Sequence, residues 1–495
     1  MPDTANIPNV RPKRILIIGG GASGLVTLRN LLDRGEFDDV QLVERRDDVG
    51  GVWYLDDDPN APNERPISAA PRWPSPAYPG LIGNVLPEFL SFSAFLPFPE
   101  PSSTAAGQPF PSLSETHAYL RAFAAPLLSQ GLIRLSTEVC AVEELGEQAG
   151  WHVRMRRWAG DEKAEEVKET WDAVVVATAF YDHLVFPETP GIAQLRELGL
   201  AQHAQSWRVP DGYEGKRILV IGNANSGNDI SAQLAPVAGA VFQSIRRPNF
   251  PGFPSLPDSR IARVAPVKEY VVREGSVVDA HLTDGTVISD LDGVLFGTGY
   301  HPFPDFVRVL DANTQVLVPF VTANTSPPRV PDLHRYVLYA RNPTLAFVGT
   351  AVASYTPFTI ADISSTWLAL AWTGAIAYPT ALDGLLAFER ERLAAVVAGR
   401  IEMEAAFTDS TSGDSERGKT EGSSLVAYGV LGPFEEEYAG GLRAEVVQAR
   451  PELDSVLPVW NPERTAVREA MFDKKRAALE LARERQRAPA ASNLI

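Results

Sequence analysis

Apolar residues in this 495-residue chain gather into short runs that end at glycine. Ile15–Ile18 is one such run, and an unbroken apolar stretch of that length fits a strand buried on both faces. Leu25–Leu32 then reads as a helix, and Gln41-Leu-Val-Glu44 as a second strand. The same order restarts at Arg217-Ile-Leu-Val-Ile-Gly222, with Asp229–Leu234 as the helix and Ala240–Ile245 as the next strand. Elsewhere the period differs. Leu132–Arg157 alternates apolar and polar residues, as antiparallel strands do. Trp171–Thr178, Asp292–Tyr300 and Pro343–Gly349 read as further strands, and Ser114–Phe123 and Ile363–Tyr378 as helices. Residues 56–112 are dense in proline, glycine and aromatics without a period, and a long irregular stretch in a compact protein usually carries function. Thr408–Ser424 is polar and rich in glycine and serine, which predicts a loop. Asn461-Pro462-Glu463 offers an N-cap, a proline at the first helical position and an early acid, so a helix follows to about Arg487, mixed in charge and largely exposed.

The turns carry the first chemistry. In Gly19-Gly-Gly-Ala-Ser-Gly24, Gly19 permits a tight turn, Gly21 lets the backbone approach a pyrophosphate, and Gly24 lets the helix pack closely on the strand. The helix N-terminus then faces the phosphates. Glu44 lies twenty residues beyond Gly24, where this fold places the acid that binds a ribose hydroxyl. Gly50-Gly51-Val52-Trp53 follows it and resembles the second contact segment of FAD enzymes, whose backbone lies close to the ribityl chain.

Gly222-Asn-Ala-Asn-Ser-Gly227 repeats the turn, but the strand after it ends without an acid. Ser244, Arg246 and Arg247 stand there instead. A carboxylate would repel a 2′-phosphate, whereas guanidinium groups and a hydroxyl bind it through charge-assisted hydrogen bonds. The reading is therefore NADPH rather than NADH, against the plainer alternative that the arginines are solvated loop charges. Two dinucleotides held by one chain imply hydride transfer between them. The expected fold is α/β, with two Rossmann-like dinucleotide-binding domains. The FAD-binding domain takes residues 1–183, an inserted NADPH-binding domain takes 184–309, and 310–495 completes the first domain and adds a C-terminal helical extension.

Composition narrows the classes. A net charge of −17 and a pI near 5.0 argue against nucleic acid or an anionic membrane surface as partner. The single cysteine, Cys140, excludes a disulfide framework and any Cys-x-x-Cys pair, and with it the disulfide reductases that share a two-nucleotide architecture. The seven histidines are scattered without metal-ligand spacing, so no metal is expected. The N-terminus has no basic-then-apolar signal, and no stretch reaches the ~18 apolar residues of a spanning helix. A cytoplasmic protein without a transmembrane segment is expected. Oligomeric state stays open, a homodimer included.

With these segments in hand, the chain resembles the flavin-containing monooxygenases over roughly residues 13–376. The matching segments are Gly19–Gly24, Gly51-Val-Trp53, Tyr78-Pro-Gly-Leu-Ile-Gly-Asn84, Phe110-Pro-Ser112 with Tyr119-Leu-Arg121, Thr137-Glu-Val139, Gly215–Ile230 and Phe296-Gly-Thr-Gly-Tyr300. The resemblance implies FAD held by Gly19, Gly21, Ala22, Ser23, Gly24, Glu44, Gly51, Val52, Trp53, Val139, Thr178 and Gly349. It implies NADPH held by Gly222, Ala224, Asn225, Ser226, Gly227, Ser244, Arg246, Arg247 and Gly299. The irregular stretch 56–112 would lie over the flavin. Of the family motif phenylalanine-x-glycine-x-x-x-histidine with an aromatic four residues on, Gly199, His203 and Trp207 fit, and Glu197 replaces the phenylalanine. His203 is expected in a structural or gating role at a hinge. Trp207 is closer to the related Baeyer–Villiger monooxygenases. Gly83 stands where the family often has threonine, and Ser364-Ser-Thr-Trp367 departs from its glutamine-x-arginine-tryptophan segment.

The implied activity is NADPH- and O2-dependent transfer of one oxygen from a C4a-hydroperoxyflavin to nitrogen or sulfur in a small molecule. Asn84 is the candidate catalytic side chain, because a neutral carboxamide donates without protonating the oxygen donor. The alternatives are oxygen insertion beside a ketone, an uncoupled NADPH oxidase, and a nucleotide-binding sensor or scaffold.

Overall fold

Alternate residues of the run Arg14–Ile18 point into two different cores, which is why the run carries no polar break. In the computed structural model, Ile15 and Ile17 pack with helices on one face, and Leu16 and Ile18 with an antiparallel sheet on the other. The structure describes residues 7, 9–55, 73–146, 149–158, 164–246, 255–352, 356–409 and 427–487. Eight α-helices occur among them: α1 Ala22–Arg34, α2 Leu113–Ser129, α3 Ile192–Glu197, α4 Asn225–Leu234, α5 Pro357–Thr373, α6 Leu382–Asp409, α7 Glu435–Ala449 and α8 Pro462–Arg487.

Arg14–Ile18 lies inside a 7-stranded sheet, between Ala173–Val176 and Asp39–Val43. The five strands from Leu345–Phe347 to Ile133–Arg134 are parallel, and two short antiparallel strands extend the edge. A second, wholly parallel sheet of five strands runs Ile261–Val264, Ala240–Ser244, Arg217–Ile221, Gly293–Phe296, Ala201–His203. It too is buried on both faces, with Leu219 and Phe296 in one core and Ile218 and Val220 in another. A three-stranded antiparallel sheet, Val267–Arg273 to Val287–Leu291, adjoins it in sequence. A five-stranded sheet that includes Thr137–Glu144 and Trp151–Arg157 backs the first sheet.

Two sequence expectations change. Trp171–Thr178 is not one strand, because Glu165–Trp171 pairs antiparallel in the five-stranded sheet and Ala173–Val176 pairs parallel in the seven-stranded one. Asp172 makes the step between them, its carboxylate accepting the Lys13 and Arg14 N–H groups at 2.8 and 2.9 Å. The C-terminal helix is not largely exposed along its whole circumference, because Arg468, Met471, Lys475 and Ala478 form a buried face. Residues 56–72 and 410–426 lie outside the described residues, so the expectations for those segments go with them. Among the described residues no helix is long and apolar enough to cross a membrane, and no cluster of ligating side chains suits a metal.

Candidate active site

At the first turn, Gly19 has φ +111° and the helix α1 starts directly behind it. A Cβ on Gly24 would lie 1.8 Å from the Gly19 carbonyl oxygen, so only glycine permits this approach. The Gly50–Gly51 turn packs on the same loop: the Gly50 N–H donates to the Gly20 carbonyl at 2.9 Å, and a Cβ on Gly51 would meet the Gly21 Cα at 2.9 Å. Both segments therefore form one backbone floor, continued by Val52 and Trp53 in the short 3-10 turn Gly51–Trp53. The buried Glu44 carboxylate accepts the Gly20 N–H at 2.5 Å and the Arg46 N–H at 2.9 Å. It thus braces the glycine loop from the strand end where a ribose would sit. Arg46 in turn donates to the Gly51 and Tyr54 carbonyls.

The remaining first-site residues gather around this floor. A Cβ on Gly19 would lie 3.3 Å from the Thr178 nitrogen, and one on Gly349 would lie 3.1 Å from the Ser23 hydroxyl. Val139 follows Thr137, whose N–H donates to the Glu44 carbonyl at 2.8 Å. Sequence reasoning missed His117. Its Nε2 lies 2.9 Å from the Val49 carbonyl, its ring stacks on Tyr54, and it closes the space beside Gly50. A histidine four residues into a helix has no sequence signal for that role.

The second turn repeats the geometry. Gly222 also has φ +111°, and a Cβ on Gly227 would lie 2.4 Å from the Gly222 carbonyl oxygen. A cavity of about 740 Å³ opens over this turn, lined among others by Gly222, Ala224, Asn225, Ser226, Ser244, Arg246, Gly299 and His203. Eight of the sequence candidates thus meet in one cavity. Ser244 is buried and its hydroxyl donates to the Ala265 carbonyl at 3.1 Å, while Arg246 is exposed at the rim. Arg247 lies outside the described residues.

His203 is 4 % exposed and ends a strand of the second sheet. Its Nδ1 accepts the Gln205 N–H at 3.2 Å, which assigns the ring proton to Nε2. That Nε2 is buried and makes no well-aligned hydrogen bond among the described residues, although the Gly299 backbone acts on the ring, and the side chain lines the cavity. Burial pushes the imidazole pKa down to about 4, opposed by hydrogen bonding with the Gly299 backbone, so the ring is neutral near pH 7. Phe186 and Tyr300 pack edge-on against it. Gly199 has φ +70° just after α3. Trp207 is not at the cavity: its indole donates to Gln233 on α4 at 3.3 Å and fills one core of the second sheet.

Asn84 is exposed, in a loop between Tyr78 and Pro87. The loop is tied to the second nucleotide unit. The Tyr78 hydroxyl donates to Asp229 on α4 at 2.7 Å, and burial pushes both the Tyr78 and Asp229 pKa values up. Gly83 is pinned by its N–H to the Pro111 carbonyl at 2.8 Å, and a Cβ there would sit 3.2 Å from that same oxygen. A threonine at 83 would crowd Pro111, which accounts for the glycine. Ser365 and Trp367 face the core, bonding Asn30 and Glu445.

Both cradles fit a dinucleotide, on the evidence of two backbone approaches that a Cβ would fill and, at the second, the cavity that opens over the turn. Comparison with known proteins agrees. A family model described as flavin-binding monooxygenase-like matches residues 12–250. Flavin-containing monooxygenase FMO GS-OX3 of Arabidopsis thaliana is 30% identical over 380 residues, 75% of this chain and 76% of that one. Flavin-containing monooxygenase FMO GS-OX-like 7 of the same plant is 31% identical over 385 residues, 76% and 77% of the two chains. Among solved structures, S-allyl-L-cysteine S-oxygenase from Allium sativum superposes with a TM-score of 0.62 at 24% identity, covering 94% of this chain and 100% of that one. Tmm from a Pelagibacter strain superposes with a TM-score of 0.61 at 19% identity, covering 87% and 86%.

Proposed function

Because the chain belongs to the flavin-containing monooxygenase family, we propose that it uses NADPH and O2 to place one oxygen atom on a nitrogen or sulfur centre of a small molecule. It is an FAD-dependent oxidoreductase of a family that uses FAD and NADPH. When bound, the two cofactors supply the hydride transfer and the oxygen activation. The observation that carries the reading is the pair of glycine cradles, one on each parallel sheet, each closed to any Cβ.

The chain's own residues do binding and positioning. At the first cradle, Glu44 holds the glycine loop and faces a ribose, and Gly21 and Gly51 let backbone approach the ligand. At the second, Arg246 at the cavity rim would pair with the 2′-phosphate and the N-terminus of α4 would take the pyrophosphate, while Ser244, its hydroxyl held by Ala265, lines the wall. His203 gives the cavity a neutral wall beside Gly299, since its conjugate acid is disfavoured near neutral pH. Asn84 would offer a neutral donor to the oxygen being transferred. Supporting it are its exposure and the anchorage of its loop to α4.

Ketone oxygenation is the lesser reading. Trp207 spoke for it in the sequence, but here the indole is a packing residue away from the cavity. The test is anaerobic reduction of the purified protein with NADPH, then admission of air with an amine, a thioether or a ketone. Flavin bleaching, followed by oxygenated amine or thioether in proportion to NADPH, is expected. Peroxide release without product, or no bleaching, would overturn the reading. Asn84→Ala should keep FAD and NADPH oxidation and lose product roughly tenfold or more. Undiminished product yield would remove Asn84 from the site.

A further inference from the structure

The helix α8 reaches both nucleotide units. Near its start Arg464 pairs with Glu88 at 2.6 Å and lies over the Phe89 ring. Near its end Arg483 donates to the Pro257 carbonyl at 2.6 Å, in the segment leading to the edge strand of the second sheet. Between them, Met471 and Ala478 join Leu86, Phe89 and Phe110 in a small core of their own, with Ile82 and Val85 against it. The Leu86 N–H donates to the Met471 sulfur at 3.4 Å. The loop that carries Asn84 is therefore covered by this helix on one side, with Val85 also reaching the core of the first sheet.

One residue on that buried face is a cation. Lys475 is 8 % exposed, and its Nζ donates to the Gly83 carbonyl at 2.8 Å, with the Phe110 ring beneath it. Burying an ammonium is costly unless it is paired. Asp229 acts on it electrostatically without approaching to ion-pair distance, and is itself occupied by the Tyr78 hydroxyl. Packing alone would be served by a methionine, which the same face already uses one turn earlier at Met471. The hydrogen bond is what the ammonium adds. Its acceptor is the carbonyl of the peptide group that joins Gly83 to Asn84. The preceding peptide is fixed by the Gly83 N–H on Pro111.

We propose that Lys475 is a positioning residue for the oxygenation site: delivered by α8, it sets the Gly83–Asn84 peptide plane and so the direction of the Asn84 side chain. The idea rests on the role of Asn84 given above. Tyr78–Asp229 ties the same loop to the second nucleotide unit, so the loop is held at both ends by elements distant in sequence.

The experiment compares full-length, FAD-loaded wild type with Lys475→Met, Lys475→Gln and Lys475→Arg. Amide hydrogen exchange over residues 80–86 is read by mass spectrometry, alongside FAD content, KM for NADPH and product formed per NADPH. The methionine and glutamine variants should exchange that segment about tenfold faster, the factor expected for losing a charged hydrogen bond. FAD content and KM for NADPH should stay within about twofold, whereas product per NADPH falls; these expectations follow from loss of that one bond. Arginine should restore protection and yield together. The glutamine variant keeps the test open if the methionine variant does not fold. Wild-type exchange and yield would overturn the proposal, and so would a change in either readout without the other. Because exchange is read without turnover, failure of the Asn84 role and failure of the Lys475 anchor are distinguishable.

Discussion

Gly227→Ala puts the two-cradle arrangement at risk with a single methyl group. Its Cβ would lie 2.4 Å from the Gly222 carbonyl oxygen and 2.8 Å from the carbonyl carbon. Both are backbone atoms in a turn already held at φ +111°, so no side-chain rotation relieves the clash. The first turn of α4 must withdraw by about 1 Å to regain an ordinary contact. Overpacking of that kind costs ~1–3 kcal/mol of stability. The larger effect is on the ligand, because Ala224, Asn225 and Ser226 line the cavity at the end of the helix that moves. A displacement of that size costs about 10–100-fold in kcat/KM for NADPH. FAD content should be unchanged, since the first cradle sits on a different sheet. Gly24→Ala is the counterpart, with its Cβ 1.8 Å from the Gly19 oxygen, and should lose FAD. Steady-state NADPH oxidation and flavin absorbance per protein report both. Wild-type kcat/KM for NADPH in Gly227→Ala, or loss of FAD from Gly227→Ala with retention in Gly24→Ala, would refute the reasoning.

Arg246→Ala should reduce the preference for NADPH over NADH by about tenfold or more, the value of one charge-assisted bond to phosphate, measured as the ratio of kcat/KM values. Asp362 is fully buried and accepts from the Ser93 N–H and the Asn30 amide at 2.7 and 2.9 Å, with Arg29 and Arg34 beside it. Asp362→Ala leaves those arginines without their shared carboxylate and should cost ~3–5 kcal/mol in urea unfolding; a midpoint shift under a third of that would argue against a paired role. His203 has a folded pKa near 4 against an ordinary 6.5, so the unfolded chain binds the extra proton first as pH falls. Its stabilising contribution is complete above 6.5 and is lost towards 4, amounting to about 1 kcal/mol by pH 5.5. The stability difference between wild type and His203→Gln should shrink by that amount between pH 8 and 5.5; a constant difference would show that the ring is not buried neutral.

What the sequence revealed depended on whether the determinant was local. Both glycine turns, the strands before them and Glu44 were legible because the constraint spans some twenty residues of contiguous chain. The break at Asp172 was not, since an apolar run cannot announce that its halves enter different sheets. The buried face of α8 was hidden because two of its four inward positions are Arg468 and Lys475, which read as solvated charges in any pattern. The loop around Asn84 was unreadable for a related reason. Its partners, Pro111, Asp229 and Lys475, are set by tertiary contact and leave no period.

The Lys475–Gly83 bond joins residues 392 positions apart. At ~5–20 residues per second, a ribosome makes the loop roughly 20–80 s before it makes the anchor. Late in that interval, once Leu345–Phe347 has been made, both glycine turns and their parallel strands exist, while Leu86, Phe89 and Phe110 still lack the cover of α8. A nascent chain can thus hold both glycine cradles well before the Asn84 loop is anchored. Premature termination ahead of α8 would yield a protein able to take up the cofactors yet exposing an apolar patch, a substrate for chaperones rather than a slower enzyme.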